Sequence, residues 1–273
     1  MGPGVDGRSD RCGPVGSVRR PVGSAIVAPV TADDTRAERG QLVMICGGRG
    51  TRWPGRPAGV PKSMVELAGE PLALRLWRQL RHLQTAAAPP VFVVAAGEPM
   101  VPAAVAAHVP GAVVVAQAAP DGVANAVRLA LPHLVGPALV VLGDVVIEGT
   151  LATPPPPPPA LVVWPAAPPT VTTRNFGVRV DEAGGPVALI EKPADPTGLV
   201  CGLGLYWLTP AVIDRFAAAP INPATGEREI TAALAFAMAD TRFGLWPLTG
   251  RYVNLNTAAD LAEAEAAIAI ERR

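Results

Sequence analysis

Apolar residues fall along this chain in solid runs of strand length, at positions 42–46, 91–95, 112–116, 138–142, 161–164 and 187–190. Between the early runs lie segments of helical length at 72–83, 100–108 and 122–131. Most of the runs do not alternate apolar with polar, as expected of strands covered on both faces. Strand, helix and strand in that order predict an α/β fold, a mostly parallel sheet with helices on both faces and ligands at the carboxyl ends of its strands. Beyond residue 150 a smaller, mixed part is expected. There, residues 175–180 and 187–190 flank Asp181-Glu182-Ala183-Gly184-Gly185 as a hairpin. Residues 203–208 read as a further strand, 210–219 and 229–239 as helices, and Thr257 with Asp260 caps a final alanine-rich helix. The all-proline run 154–159 reads as a stiff surface connector.

Composition narrows the partners. The chain has 273 residues, 49% hydrophobic and 17% charged, enough for a large core. Lys and Arg number 23 against 23 Asp and Glu, so nothing suggests broad binding to nucleic acid or to a membrane surface, and any anion site must be local. Cys12, Cys46 and Cys201 are odd in number and far apart, which argues against a disulfide framework or a zinc site and fits a reducing cytoplasm. No segment reaches the length of a membrane span, and the apolar run 22–30 is short and broken by Gly23 and Pro29. Residues 1–40, rich in Gly, Pro, Asp and Arg, are expected to form a disordered extension ahead of a domain at 41–273.

Four segments carry candidate chemistry. Leu42-Val43-Met44-Ile45-Cys46-Gly47-Gly48-Arg49-Gly50-Thr51-Arg52 reads as a buried strand emptying into a glycine-rich loop, with Pro61-Lys62 shortly after. Gly47, Gly48 and Gly50 let backbone N–H groups approach a triphosphate, while Arg52 and Lys62 supply a planar fork and a mobile point charge. A P-loop and a dinucleotide fingerprint are excluded by the spacing; a tight strand-to-helix turn is the plainer alternative. Gln117-Ala118-Ala119-Pro120-Asp121-Gly122 offers an amide to a nucleobase edge and a glycine on which the base can lie, or is an ordinary loop. Asp144 ends a buried strand, where a hard oxygen suits Mg²⁺ or merely caps a turn. Glu191-Lys192-Pro193 ends another strand with a carboxylate for sugar hydroxyls and an ammonium for a phosphate, or a surface ion pair.

Taken together, these segments resemble the nucleoside-triphosphate transferase family, in particular the sugar-1-phosphate nucleotidylyltransferases such as glucose-1-phosphate thymidylyltransferase. The resemblance spans about residues 41 to 270 and lies in the order of its motifs. It implies a Rossmann-like fold of the nucleotide-diphospho-sugar transferase type, with residues 41–150 binding nucleotide and 151–273 binding the acceptor. By the same resemblance Gly48 to Thr51 bind triphosphate, Arg52 and Lys62 support attack at the α-phosphorus, Gln117 and Gly122 read the base, and Asp144 holds Mg²⁺. Asn175-Phe176-Gly177-Val178 resembles the strand near the sugar, Glu191 and Lys192 the acceptor site, and Gly226-Glu227-Arg228-Glu229-Ile230-Thr231 a helix start. The family's late Asp-x-Gly-Thr appears here as Asn254-Leu255-Asn256-Thr257, so Asn254 is the expected second metal ligand through a neutral oxygen. Cys201 stands where relatives have asparagine and alanine, which points to an unusual acceptor pocket.

The implied activity is transfer of a nucleotidyl group from dTTP or UTP to a sugar 1-phosphate, with release of pyrophosphate. Guanylyl or cytidylyl transfer to a cyclitol phosphate or phosphonate is the alternative. A glycosyltransferase is disfavoured because Asp144 lacks an Asp-x-Asp partner. A non-catalytic nucleotide sensor is suggested by Asn254 and Asn256 and opposed by the intact Arg52 and Lys62. The partners expected are a triphosphate and a phosphorylated small molecule, with no nucleic acid or membrane and with room for a homo-oligomer.

Overall fold

A computed structural model describes residues 1–2, 39–47, 59–152 and 155–271, with side chains to residue 268 in the last helix. The chain divides into two units, Met1–Arg36 and Ala37–Arg273, and the second carries the fold that follows. It starts with β1 (Gln41–Ile45), a small hairpin of β2 (Glu66–Leu67) and β3 (Glu70–Pro71), and α1 (Leu72–Leu80). The alternation then runs β4 (Val91–Ala95), α2 (Met100–His108), β5 (Val113–Gln117), α3 (Val123–Leu129) and β6 (Ala138–Leu142). The second half holds β7 (Val145–Leu151), β8 (Ala160–Trp164), α4 (Pro169–Thr172), β9 (Phe176–Val180), β10 (Pro186–Glu191) and β11 (Val200–Leu208). It closes with α5 (Pro210–Arg215), α6 (Ile230–Met238), β12 (Gly244–Asn254) and α7 (Ala258–Glu271).

The main sheet runs in the order β5-β4-β1-β6-β11-β8-β12-β7, with β9 on β11 and β10 on β9. Its first four strands are parallel and β11 enters antiparallel to β6, so the expected parallel first part and mixed second part of the sheet are both present. Alternate residues of each central strand feed different cores. Leu42, Met44, Phe92 and Val141 pack with α1, α2 and α7, while Val43, Ile45, Val93 and Val140 pack with α3, α5 and α6. That two-sided burial is why these strands read as solid apolar runs. At the edge, β5 exposes Val114. Helix α1 shows the complementary pattern: Leu72, Ala73, Leu76 and Leu80 are buried at helical spacing. Its polar side reaches the far strand, where Arg75 bonds Glu148 at 2.8 Å and Gln79 Nε2 donates to the Ile147 carbonyl at 2.9 Å.

Two strands, β7 and β12, escape a pattern reading. Their ladder crosses at Gly149 and Gly250. A Cβ on Gly149 would lie 2.0 Å from the Thr249 carbonyl oxygen, and one on Gly250 2.2 Å from that of Glu148. The close approach requires glycine on both strands, and with Pro247 it erases the β-branched alternation that announces a strand. Of the proline run, Pro156 and Pro159 accept bonds from the Trp207 indole and the Gly244 amide, tying the connector to the sheet. Thr257 and Asp260 form a reciprocal cap on α7: Asp260 N donates to Thr257 Oγ1 at 3.2 Å and Thr257 N to Asp260 Oδ2 at 2.8 Å. No helix among the described residues is long and apolar enough to cross a membrane.

Trp207 and Trp246 pack edge to face with centroids 6.0 Å apart, both fully buried, and each indole N–H is satisfied by a carbonyl. Trp207→Ala should therefore lower stability by about 3–5 kcal/mol, the usual cost of emptying so large a volume. A urea midpoint that does not move would contradict this account of the core.

Candidate functional site

Parallel strands deliver their carboxyl ends to one edge of a sheet, so Gly47 after β1, Gln117 at the end of β5 and Asp144 after β6 share an edge. The chain leaves β1 towards β4 on one side and reaches β6 on the other, which makes β1–β6 the switch point where an open sheet forms its crevice. Of the expected phosphate loop, Gly47 lies at this crevice; Gly48, Gly50, Thr51 and Arg52 fall outside the described residues.

Lys62 opens a short 3-10 turn, and the neighbouring Ser63 hydroxyl lies 3.5 Å from the Cys46 carbonyl at the end of β1. Although Lys62 is 9% exposed, its ammonium has two partners, Asp144 Oδ2 at 3.3 Å and Asn256 Oδ1 at 2.8 Å. The β7–β12 ladder completes the cluster: Asn254 stands opposite Val145, and Leu255 N donates to the Asp144 carbonyl at 2.8 Å. Asp144 and Asn254, distant in sequence, are thus fixed side by side in the backbone register. Asn254 Oδ1 is buried with no hydrogen-bond partner among the described residues. An orphaned acceptor costs about 1–3 kcal/mol, so its presence calls for a cation or donor beyond those the described residues provide. A partly exposed carboxylate and an amide oxygen on residues adjacent in the ladder are oxygen donors of the kind that fits Mg²⁺, a hard ion content with one or two carboxylates when phosphate oxygens complete its shell. No group of three His, Cys, Asp or Glu side chains that could hold a metal ion occurs among the described residues.

Gln117 is buried and its amide nitrogen is occupied, donating to Asp121 Oδ1 at 2.7 Å and to the Gly122 carbonyl at 3.2 Å. What remains is Oε1, which lies close to Gly47. The loop that follows is clamped from across the fold. Arg228 N donates to the Asp121 carbonyl at 2.9 Å, Ala124 N to the Arg228 carbonyl at 3.1 Å, and the guanidinium reaches the Ala219 carbonyl and Asn125.

The opposite wall is built by β11. Beyond the end of β6 its residues Val200–Gly202 pair with β9, so the β9–β10 hairpin stands past the carboxyl edge of the parallel strands. A Cβ on Gly177 would meet the Leu199 side chain at 2.5 Å, which explains the glycine as a packing need. Asn175 is buried: its side chain donates to the Val171 carbonyl at 2.9 Å and its carbonyl accepts from Lys192 N at 2.8 Å. That bond holds Lys192 at φ 43, a left-handed backbone rare for a lysine. Lys192 Nζ is 3.9 Å from Glu191, both side chains exposed, and Thr231 donates to Glu191 Oε2 at 2.8 Å. The two expected acceptor groups are therefore together.

Burial governs the uncharged groups below the crevice. It pushes the Cys46 thiol up to about 12, against the Ser63 hydroxyl and with added push from Asp144 and Glu98. Burial also raises the Tyr252 phenol, the bond from Gly204 N opposing it and Asp144 adding to it. Cys46 is thus a neutral thiol and unsuited to nucleophilic attack. Burial likewise raises Cys201 to about 11, with the Thr172 hydroxyl opposing. Four contributors fall outside the expected set: Asn256 on Lys62, Thr231 on Glu191, Arg228 on the Gln117 loop, and Asp260, which accepts from Asn256 N, Thr257 N and Arg174. Each sits in or beside a quoted motif, but the contact that gives it a role comes from the fold.

Residues 42–152 match the MobA-like NTP transferase domain family. No curated protein sequence matches the chain. Among solved structures, the chain is similar to a UDP-glucose pyrophosphorylase complexed with UDP-glucose, at 17% identity and TM-score 0.69, over 86% of this chain and 99% of that one. A UTP-bound UGPase from Acinetobacter baumannii aligns at 17% identity and TM-score 0.68, over 85% and 94% of the two chains. A putative glucose-1-phosphate thymidylyltransferase from Bacillus anthracis aligns at 16% identity and TM-score 0.65, over 83% and 94%. At these identities the likeness shows the shared fold.

Gly122 has φ 107, and a Cβ there would lie 2.3 Å from the Arg228 carbonyl oxygen and 2.5 Å from its nitrogen. Both obstacles are backbone. Gly122→Ala should cost roughly 1–3 kcal/mol, the scale of a strained backbone position, and loosen the Gln117 loop. An unchanged melting temperature would mean that the clamp does not bind this loop.

Proposed function

With residues 42–152 as an NTP transferase domain, we propose that this chain is a Mg²⁺-dependent nucleotidylyltransferase that joins dTTP or UTP to a sugar 1-phosphate or similar acceptor. The products are an NDP-sugar and pyrophosphate. The observation that carries this reading is the Lys62 ammonium, set 3.3 Å from Asp144 at the sheet's crevice, with Asn254 held next to Asp144 in the backbone register of the β7–β12 ladder. Residues 41–150 serve the nucleotide and 151–273 the acceptor. The pyrimidine preference is supported by the names of the similar structures, which concern UDP-glucose, UTP and thymidylyl transfer. It is supported also by Gln117, whose remaining acceptor oxygen suits the single imide N–H shared by uracil and thymine.

The reaction needs no covalent enzyme intermediate. An oxygen of the acceptor's phosphate, already ionised, forms a bond to the α-phosphorus as the bond to the bridging α,β-oxygen breaks and pyrophosphate leaves. Lys62 offers positive charge where negative charge develops on the α-phosphate oxygens, and Arg52 is assigned the same task from the glycine-rich loop. Lys192 receives the acceptor's phosphate, and Glu191, held by Thr231, accepts from an acceptor hydroxyl. Asp144 and Asn254 would hold the Mg²⁺, which supplies charge neutralisation at the phosphate oxygens when bound. Zero net charge and two buried free cysteines support a small-molecule enzyme of the cytoplasm.

A screen of dTTP, UTP, GTP and CTP against sugar and cyclitol phosphates, read by pyrophosphate release, tests the reading directly. Lys62→Ala and Arg52→Ala should each slow turnover roughly a hundred- to a thousandfold with the fold intact, since each removes charge used most in the transition state. Near-normal turnover in either variant would defeat the role given to that residue. For the metal, Asp144→Asn should nearly abolish activity, whereas Asn254→Asp should retain it and lower the Mg²⁺ needed for half-maximal rate. If neither variant alters the Mg²⁺ requirement, these side chains do not touch the ion.

A further inference from the structure

Asn256 stands where the resembled Asp-x-Gly-Thr pattern has glycine, and its side chain does something a glycine cannot. Its Oδ1 accepts from the Lys62 ammonium at 2.8 Å, while Asp144, the charged partner, is at 3.3 Å. Charge-assisted N–H···O bonds are usually about 2.7–2.9 Å, so the neutral amide makes the better-formed bond of the two. The amide is also oriented for it. Asn256 Nδ2 donates to the Asn254 carbonyl at 3.3 Å, which turns Oδ1 towards the lysine. Behind it, Asn256 N donates to Asp260 Oδ2 at 2.9 Å, and that buried carboxylate is itself fixed by Thr257 N and Arg174. A side chain exposed to solvent has thus been built into a hydrogen-bonded loop with one acceptor on Lys62.

We infer that Asn256 is the positioning residue for Lys62, holding its ammonium at the crevice whether or not Asp144 is engaged with a cation. The inference rests on the proposed role of Lys62. Any cation drawn to Asp144 repels the ammonium and competes for the carboxylate, so a lysine tethered by Asp144 alone would be released when it is needed. A neutral acceptor avoids that conflict: it keeps the lysine in place and adds no negative charge to neutralise it.

The test pairs a spectroscopic readout with kinetics. In the ¹H–¹⁵N spectrum of the lysine ammonium groups, the Lys62 signal is identified by its loss in Lys62→Ala and should be visible in the metal-free, nucleotide-free protein. Asn256→Ala should abolish it or average it to that of a free lysine, and Asn256→Asp, which restores an acceptor, should bring it back. Because Asn256 is exposed, the melting temperature should not change. With UTP or dTTP and glucose 1-phosphate, Asn256→Ala should lower kcat about tenfold, the worth of one hydrogen bond to a charged group. KM for the triphosphate should shift less than about threefold, since the loss falls on the transition state. An unchanged ammonium signal or an unchanged kcat in Asn256→Ala overturns the inference. Near-normal turnover in Lys62→Ala would instead remove the role of Lys62 itself, whatever the Asn256 variants do to the signal.

Discussion

β11 pairs with β6 along Leu205–Leu208 and with β9 along Val200–Gly202, while β8 runs along its other side. One strand must therefore continue a parallel sheet, reverse its direction and carry a hairpin past its end. All its residues but Val200 are buried, so it cannot shift register without exposing its apolar surface. The crevice exists because of this. β6 stops at Leu142 and β11 does not, which leaves Asp144 at the foot of a wall whose upper part is the β9–β10 hairpin. Glycine makes the overlap possible: a Cβ on Gly202 would strike the Phe176 ring, and one on Gly204 would press on Leu142 and the Tyr252 hydroxyl.

Within that frame the chemistry is decided by which groups are kept neutral. Cys46 and Tyr252 lie beneath the crevice, and burial holds both in their protonated forms, so neither contributes charge or a nucleophile. Among the described residues, the side chains that Lys62 engages are the carboxylate of Asp144 and the amide of Asn256. A buried neutral thiol and phenol offer no protein nucleophile there, in keeping with the proposed direct transfer between two phosphates.

The parts of this arrangement that were legible in the sequence share a cause. β1, β4 and β6 read correctly because burial on both faces leaves an unbroken apolar run, and Asp144 could be placed at a strand end because that run stops just before it. β7 and β12 were not legible. Their contact depends on two glycines meeting across strands about a hundred residues apart, and neither strand reveals alone that the other needs it. The same distance hid Asn256. Its neighbours in sequence suggested a capped helix start, which is present, but the bond to Lys62 spans 194 positions and arises only when β12 returns beside β7. Gln117 shows the limit from another side: the sequence offers an amide to a base, and the fold occupies its nitrogen and leaves only its oxygen.

The asparagine at position 254 can then be understood through one electrostatic argument. Replacing a carboxylate by an amide at position 254 removes a unit of negative charge from the place where a divalent ion would sit. The remaining Asp144 already faces an ammonium. An ion attracted by one partly neutralised carboxylate binds weakly until triphosphate oxygens supply the rest of its shell. On the proposed function, affinity for the ion would therefore rise when nucleotide arrives, and by linkage the ion would tighten the nucleotide by the same factor. A site with two carboxylates would hold the ion in advance and gain less from that coupling. Read this way, the departure from the acidic pattern is compatible with catalysis. On that proposal it would tie assembly of the charged centre to the arrival of the triphosphate.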